Sequence, residues 1–319
     1  MDCLLPSRLL QRLAFLEQVS RSQLIAYLSL LQARNYAQST LQAIVGAVRH
    51  LVLSLPHQRQ TTLAANLTQT TPSDIDSFIE AARSRGLAAS TINGHLSMLS
   101  ELFDFLREGR QMQTQPVIRR RHRLPTPTAL PKPFAEADLI AFFKAIDSVR
   151  DRLLFLLMLR CGLRVSEACS LTWNDVNLQA ASIRINNGKG QVDRVVYIAP
   201  DVEKALRLWQ ARGTPSPYLF PSRRRHAASI LRGDVHWQMK KYLRLAGIQT
   251  NYSAHCLRHI FATQLLNAGV SLEVLKELMG HRSIQMTLRY TKLYEATKRQ
   301  QYDQAMARIE QRQLRIGGE

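Results

Sequence analysis

Acidic side chains are scarce in this chain. Its 319 residues carry 24 Asp+Glu against 43 Lys+Arg, a formal net charge of +19 with a pI of about 10.4. A balance of that sign and size implies a polyanionic partner, either nucleic acid or an acidic membrane surface. The carboxylates Asp175, Asp193, Asp201 and Asp234 are scattered, which speaks against a nuclease or transposase built on clustered metal-binding acids. Long apolar runs are also lacking. None approaches the roughly 20 residues of a membrane span, and charged residues break up any signal-like core in the first dozen positions. Nucleic acid is therefore the favoured partner, and no membrane is expected. Cysteine is sparse too, with only Cys3, Cys161, Cys169 and Cys256 and no C-x-x-C pair, which fits a reducing, cytoplasmic setting. A zinc set of His255, Cys256, His259 and His281 fails because neighbouring residues on a helix point in different directions. No metal and no cofactor are expected.

A length of 319 residues and 45% hydrophobic content are enough for about two domains, each with its own core. The N-terminal third reads as all helix and contains an internal echo. R-N-Y-A-Q-S-T-L at 34–41 recurs as R-G-L-A-A-S-T-I at 85–92, an offset of 85 − 34 = 51. An amphipathic run follows each copy. Ser39-Thr40 and Ser90-Thr91 thus stand where helices begin, as caps or as phosphate contacts, with Arg34 and Arg85 just upstream. Thr71-Pro72-Ser73-Asp74 opens a further helix. From Arg110 to Ala135 there is no acid, while Arg119, Arg120, Arg121, Arg123 and Lys132 are basic. Pro125, Pro127, Pro131 and Pro133 favour an extended path there, suited to a tether along a DNA backbone. The boundaries expected are 1–115, a basic Pro-rich linker at 116–133, and 134–319. A second basic cluster, Arg223–Arg225, falls in a loop, and Glu295–Leu314 has apolar spacing that suits a docked helix.

The densest chemistry lies between His255 and Tyr290. His255 and Arg258 are three apart and share a helix face, while Leu257, Phe261, Leu265 and Ala268 form a separate apolar stripe that turns the polar pair from the core. Gly269 reads as a helix stop and Ser271 as the next cap. Gly280 ends that helix, His281 follows at once, and Ser283 can cap a last helix carrying Tyr290. Upstream, Cys161-Gly162-Leu163-Arg164 follows an apolar helix, with Ser166 as a cap, so Arg164 sits in a tight turn. Two β-branched runs flank Asn187-Gly188-Lys189-Gly190, a hairpin signal that lifts Lys189 on a turn. Arginine offers a planar fork for two phosphate oxygens. Histidine can donate to a third or pass a proton. Tyrosine becomes a nucleophile when a cationic site acidifies its phenol.

In this order, G-L-R-x-S-E, a G-K-G hairpin, H-x-L-R-H, M-G-H and a closing Tyr resemble the tyrosine recombinase (phage integrase) family, Xer-type enzymes included, from about Leu24 to Tyr302. The resemblance implies a mainly α fold with a small antiparallel β-sheet in the C-terminal domain, and two domains closing on DNA as a clamp. The first would be a helical, SAM-like core-binding domain and the last the catalytic domain. It further implies that Arg164 and Arg258 clamp a phosphate, that His255 and His281 are the site histidines, that Lys189 is the general acid, and that Tyr290 is the nucleophile. Glu167 matches the acidic residue of the first motif, in a supporting role. The hairpin departs from the family at Val192, where a second lysine is common, leaving Lys189 as the one candidate with Arg194 behind it.

The activity implied is site-specific cutting and rejoining of double-stranded DNA through a 3′-phosphotyrosyl intermediate. The partners implied are further copies of the chain, as a tetramer in synapsis, with an accessory DNA-bending protein left open and the prokaryotic nucleoid as the setting. The short run before Leu24 argues against a separate arm-binding module. Two alternatives stay open at this point. A type IB topoisomerase shares the chemistry without a second duplex. A non-catalytic DNA-binding regulator would explain the charge but not the ordered set of six residues.

Overall fold

The computed structural model describes residues 5–126, 134–186, 193–213, 216–222, 228–281, 283, 285–288, 302, 306–307 and 309–310. Lys189, the basic cluster 223–225 and Tyr290 lie outside the described residues. So does most of the expected tail helix, of which Tyr302 and Ile309 are exposed in the single chain. The chain separates into two compact units, Met1–Ala129 and Leu130–Glu319.

The first unit is entirely helical: α1 (Ser7–Gln11), α2 (Gln18–Ala33), α3 (Gln38–Leu53), α4 (His57–Ala65), α5 (Pro72–Ser84), α6 (Ala89–Glu108) and the single turn α7 (Arg119–His122). Apolar residues recur along α3 at Leu41, Ile44, Val45, Val48, Leu51 and Val52. In α6 they recur at Ile92, Leu96, Leu99, Phe103 and Leu106. Those stripes face each other in one core with Leu24, Leu28 and Phe78. The opening of α5 is fixed by a reciprocal cap. Asp74 N–H donates to Thr71 Oγ1 at 3.3 Å, and Thr71 N–H donates to Asp74 Oδ2 at 2.8 Å.

The internal echo is structural as well. Asn35 and Gly86, at equivalent places, both have positive φ (57° and 76°). Tyr36 N–H returns to Leu31 O at 3.0 Å, and Leu87 N–H to Ala82 O at 3.1 Å, closing both preceding helices in the same way. The caps themselves are Ala37 and Ala88. Ser39-Thr40 and Ser90-Thr91 lie one residue inside their helices and do no capping. Ser39, Ser90 and Thr91 are exposed and Thr40 half-buried, and Arg34 and Arg85 are exposed.

The basic segment after α6 differs from the extended tether that the prolines suggested. Residues 119–122 form a helical turn, and Val117 and Leu124 pack on the first core. Asn93 grips the Leu124 main chain from both sides, donating to its carbonyl at 2.8 Å and accepting from its N–H at 2.9 Å. His122 is fully buried, accepts from Ile118 N–H at 2.8 Å, and lies 3.3 Å from Asp76. Burial holds its pKa below the ordinary value. The prolines begin only at 125, beyond the turn, so they place no restraint on it. Arg119, Arg120 and Arg123 are exposed. Arg121, also exposed, is paired with Asp76.

The second unit contains α8 (Glu136–Ala145), α9 (Val149–Arg160), α10 (Val165–Ser170), strands β1 (Val176–Asn177), β2 (Ser182–Ile185) and β3 (Arg194–Tyr197), then α11 (Pro200–Gln210), α12 (Arg232–Leu245), α13 (Ala254–Asn267), α14 (Leu272–Met279) and the turn α15 (Gln285–Leu288). The three strands form one antiparallel sheet in sequence order, with Ile183 opposite Val196 and both buried. Helix α9 is apolar all round, from Leu153 to Leu159, because it is the central element, packed between α11 and α13. Among the described residues, no helix is long and apolar enough to cross a membrane.

Gly162 ends α9 with φ +63°, and a Cβ there would lie 2.4 Å from Phe261 Cδ1 on α13. Gly162→Ala is expected to destabilise the second unit by on the order of 2–3 kcal/mol, from left-handed strain plus overpacking. Chemical denaturation checks this, and a midpoint unchanged from wild type would contradict it.

Candidate active site

Arg164 occupies the N-cap of α10, a place expected for Ser166. The reason is Glu167, which stands three residues into the helix and reaches back to accept the Arg164 N–H at 2.7 Å. The same carboxylate accepts from Arg164 Nη1 at 2.6 Å. Arg164 Nη2 donates to the Gly280 carbonyl at 3.1 Å, which ties the end of α9 to the end of α14.

Arg258 differs most from the reading of its helix. Spacing placed it away from the core with His255, yet it is 1% exposed, while His255 stays exposed with its ring 4.4 Å from that of His259. Burying a guanidinium is tolerable only where its donors and charge are met. Here Nη1 donates to the Gly162 carbonyl and Nη2 to the Met279 carbonyl. Both oxygens lie at helix C-termini, where the backbone dipoles are negative. Glu167 Oε2 lies 3.7 Å from Nη1.

His281 follows Gly280, which takes the left-handed conformation (φ 59°) that closes α14. The His281 N–H returns to Lys276 O at 3.0 Å, so the residue is fixed at its backbone. Its ring is fixed at both nitrogens. Nδ1 lies 2.9 Å from Thr287 Oγ1 on α15, and Nε2 lies 3.3 Å from Arg258 Nη2. Thr287 is fully buried.

Glu167 is therefore the hub of this site, with Arg164, Arg258 and the buried Arg194 around it. Burial raises the pKa of its carboxyl, but the Arg194 hydrogen bonds and charge, the Arg164 N–H and the Arg164 charge outweigh that and hold it at about 2. One carboxylate among three guanidinium groups leaves the cluster net cationic, with Arg164 (15% of its side chain exposed) at its rim. That arrangement suits an anion with several oxygens. Arg164, Arg258 and His281 are thus brought together from three elements, and His255 stays on the surface of α13. Among the described residues, no group of three His, Cys, Asp or Glu could hold a metal ion.

Two contacts of the site carried no clear sequence signal. Arg194 stands behind Lys189 in the hairpin motif, but only the fold makes it a partner of Glu167. Thr287 lies six residues past His281, across a stretch with no regular period from which to infer a contact.

Comparison with known proteins bears on what this geometry serves. The profile of the Phage integrase family matches residues 134–297, and that of the Phage integrase, N-terminal SAM-like domain matches residues 24–109. Tyrosine recombinase XerA of Pyrococcus horikoshii is 33% identical over 228 residues, covering 70% of this chain and 76% of that one. Tyrosine recombinase XerD of Yersinia pestis is 32% identical over 285 residues, covering 85% and 92%. The crystal structure of a lambda integrase tetramer bound to a Holliday junction has a similar fold, with a TM-score of 0.68 at 19% identity over 84% of this chain and 76% of that chain.

Proposed function

The chain belongs to the phage integrase family, and from that premise we propose that it cuts and rejoins duplex DNA at specific sites through a tyrosine–DNA linkage. The observation that carries the reading is the convergence of Arg164, Arg258 and His281 around Glu167, drawn from positions 281 − 164 = 117 residues apart. A scissile phosphate fits at the rim where Arg164 is accessible and where Arg258 Nη2 meets His281 Nε2. Two guanidinium groups and an imidazole there would stabilise the negative charge that builds on the non-bridging oxygens as phosphorus becomes five-coordinate.

The roles of Lys189 and Tyr290 rest on the sequence motifs. The Tyr290 phenol gives up its proton to water and attacks phosphorus in line, the bond to the 5′ oxygen breaks, and Lys189 protonates that oxygen as it leaves. The product is a 3′-phosphotyrosyl link. It stores the phosphodiester bond, so a 5′ hydroxyl from another strand can reverse the step and complete exchange. His255 assists from the surface of α13. Strand exchange needs further copies of the chain, and a tetramer on DNA is the assembly that supplies four tyrosines. The two units, separately compact, would close on the duplex as a clamp. Exposed Arg34, Ser39, Arg85, Ser90, Thr91, Arg119, Arg120 and Arg123 and half-buried Thr40 meet phosphates, with Arg121 contributing less because Asp76 already balances it. A chain acting in this way would work inside the cell, on the nucleoid DNA.

No step in this scheme draws on a metal ion or a nucleotide. Duplex carrying a recombination site, incubated with the protein in excess EDTA and without ATP, should give a covalent protein–DNA adduct on a denaturing gel. Loss of the adduct in EDTA and its return with a divalent cation would contradict the reading.

A further inference from the structure

Arg194 has no part in the chemistry above, yet its side chain is buried and fully engaged. Nε donates to the Leu278 carbonyl at 2.8 Å. Nη1 and Nη2 donate to the two Glu167 oxygens at 2.9 and 2.8 Å. All three of its nitrogens are thus committed to protein oxygens, two of them to a carboxylate.

Its partners belong to separate parts of the site. Arg194 opens β3 and pairs with Ile185 across the sheet, so it forms the base of the hairpin that carries Lys189, 194 − 189 = 5 residues earlier. Glu167 holds Arg164 by both main chain and side chain. Leu278 lies in the last turn of α14, which leads through Gly280 to His281. The fit is close on this side: a Cβ at Gly280 would lie 2.9 Å from Arg194 Nη1 and 3.1 Å from Cδ. One planar fork thus ties the hairpin base to the arginine and histidine elements. A lysine would supply the charge at a single point and could not span a carboxylate and a carbonyl together.

We propose that Arg194 is a positioning residue that sets the Lys189 hairpin against the phosphate-binding cluster, so that its loss impairs proton delivery to the leaving oxygen rather than DNA binding. This rests on the reading of Lys189 as general acid. The two can be separated with a substrate whose bridging 5′ oxygen at the scissile phosphate is replaced by sulfur. When Tyr290 attacks that substrate, the P–S bond breaks and its electron pair leaves on sulfur as a thiolate, which needs no proton.

Adduct formation is measured at saturating DNA for wild type, Arg194→Lys, Arg194→Met and Lys189→Ala on both substrates, with DNA affinity followed by gel shift. Arg194→Lys keeps the charge beside Glu167 and carries the test if the methionine variant fails to fold. The expected result for Arg194→Lys is a loss on the order of 100-fold on the oxygen substrate, recovery to within about threefold of wild type on the sulfur substrate, and unchanged affinity, the same pattern as Lys189→Ala. Equal losses of Arg194→Lys on both substrates, or wild-type rates on the oxygen substrate, would overturn the inference while Lys189→Ala is rescued by sulfur. A Lys189→Ala variant that sulfur does not rescue would overturn the general-acid assignment itself, and this inference with it.

Discussion

Tyr290→Phe is expected to lose the covalent adduct and strand exchange down to background while binding its DNA site as wild type does. The substitution removes one oxygen and keeps the ring, so it deletes the reacting group alone. Without the phenol there is no nucleophile, and the remaining cationic cluster can hold a phosphate but cannot open it. Affinity, by contrast, comes chiefly from the basic surface of the chain, a net charge of +19 that the variant leaves untouched. A gel shift and a denaturing gel on the same samples check both halves. An adduct persisting in the variant would rule out Tyr290. Loss of DNA binding would mean that the phenol acts in folding or assembly instead.

Glu167→Gln is expected to be the most destabilising single change in the second unit. The carboxylate is 4% exposed and pairs with Arg164, Arg194 and Arg258 alike. Neutralising it leaves three guanidinium groups facing one another with little water between them. Breaking a buried pair in that way costs about 3–5 kcal/mol. The pH dependence carries the same information. Because the folded-state pKa is depressed from 4.5 to about 2, the stabilisation is fully present above about 4.5 and is lost as pH falls toward 2. Wild type should lose stability through that window, and the glutamine variant, already without the charge, should lose less. Identical acid profiles for the two proteins would contradict the role given to Glu167.

Much of the second unit could be read from residues alone because its signals are local. Gly162, Gly269 and Gly280 end helices, Ser271 caps α14 by accepting from Val274 N–H at 3.3 Å, and the β-branched runs at 182–185 and 194–197 pair as an antiparallel hairpin. The motif order also identified Arg164, Arg258 and His281, which the fold brings together across long separations. What could not be read is how those residues are satisfied. Helical spacing puts Arg258 on the face of His255, and nothing local announces the Gly162 and Met279 carbonyls that draw it inward. The same limit hid the partners of Arg194, which are 27 and 84 residues away. In the first unit, prolines pointed to an extended tether. Asn93 and Asp76, on helices earlier in the chain, instead fold the segment as far as Leu124 onto the core.

The most direct test of the account is to trap the protein on a nicked DNA site, digest the adduct, and identify by mass spectrometry both the modified residue and the nucleotide it carries. The account predicts a single nucleotide joined through its 3′ phosphate to the Tyr290 oxygen, formed as readily in EDTA. A nucleotide attached to any other side chain, or joined through a 5′ phosphate, would contradict it.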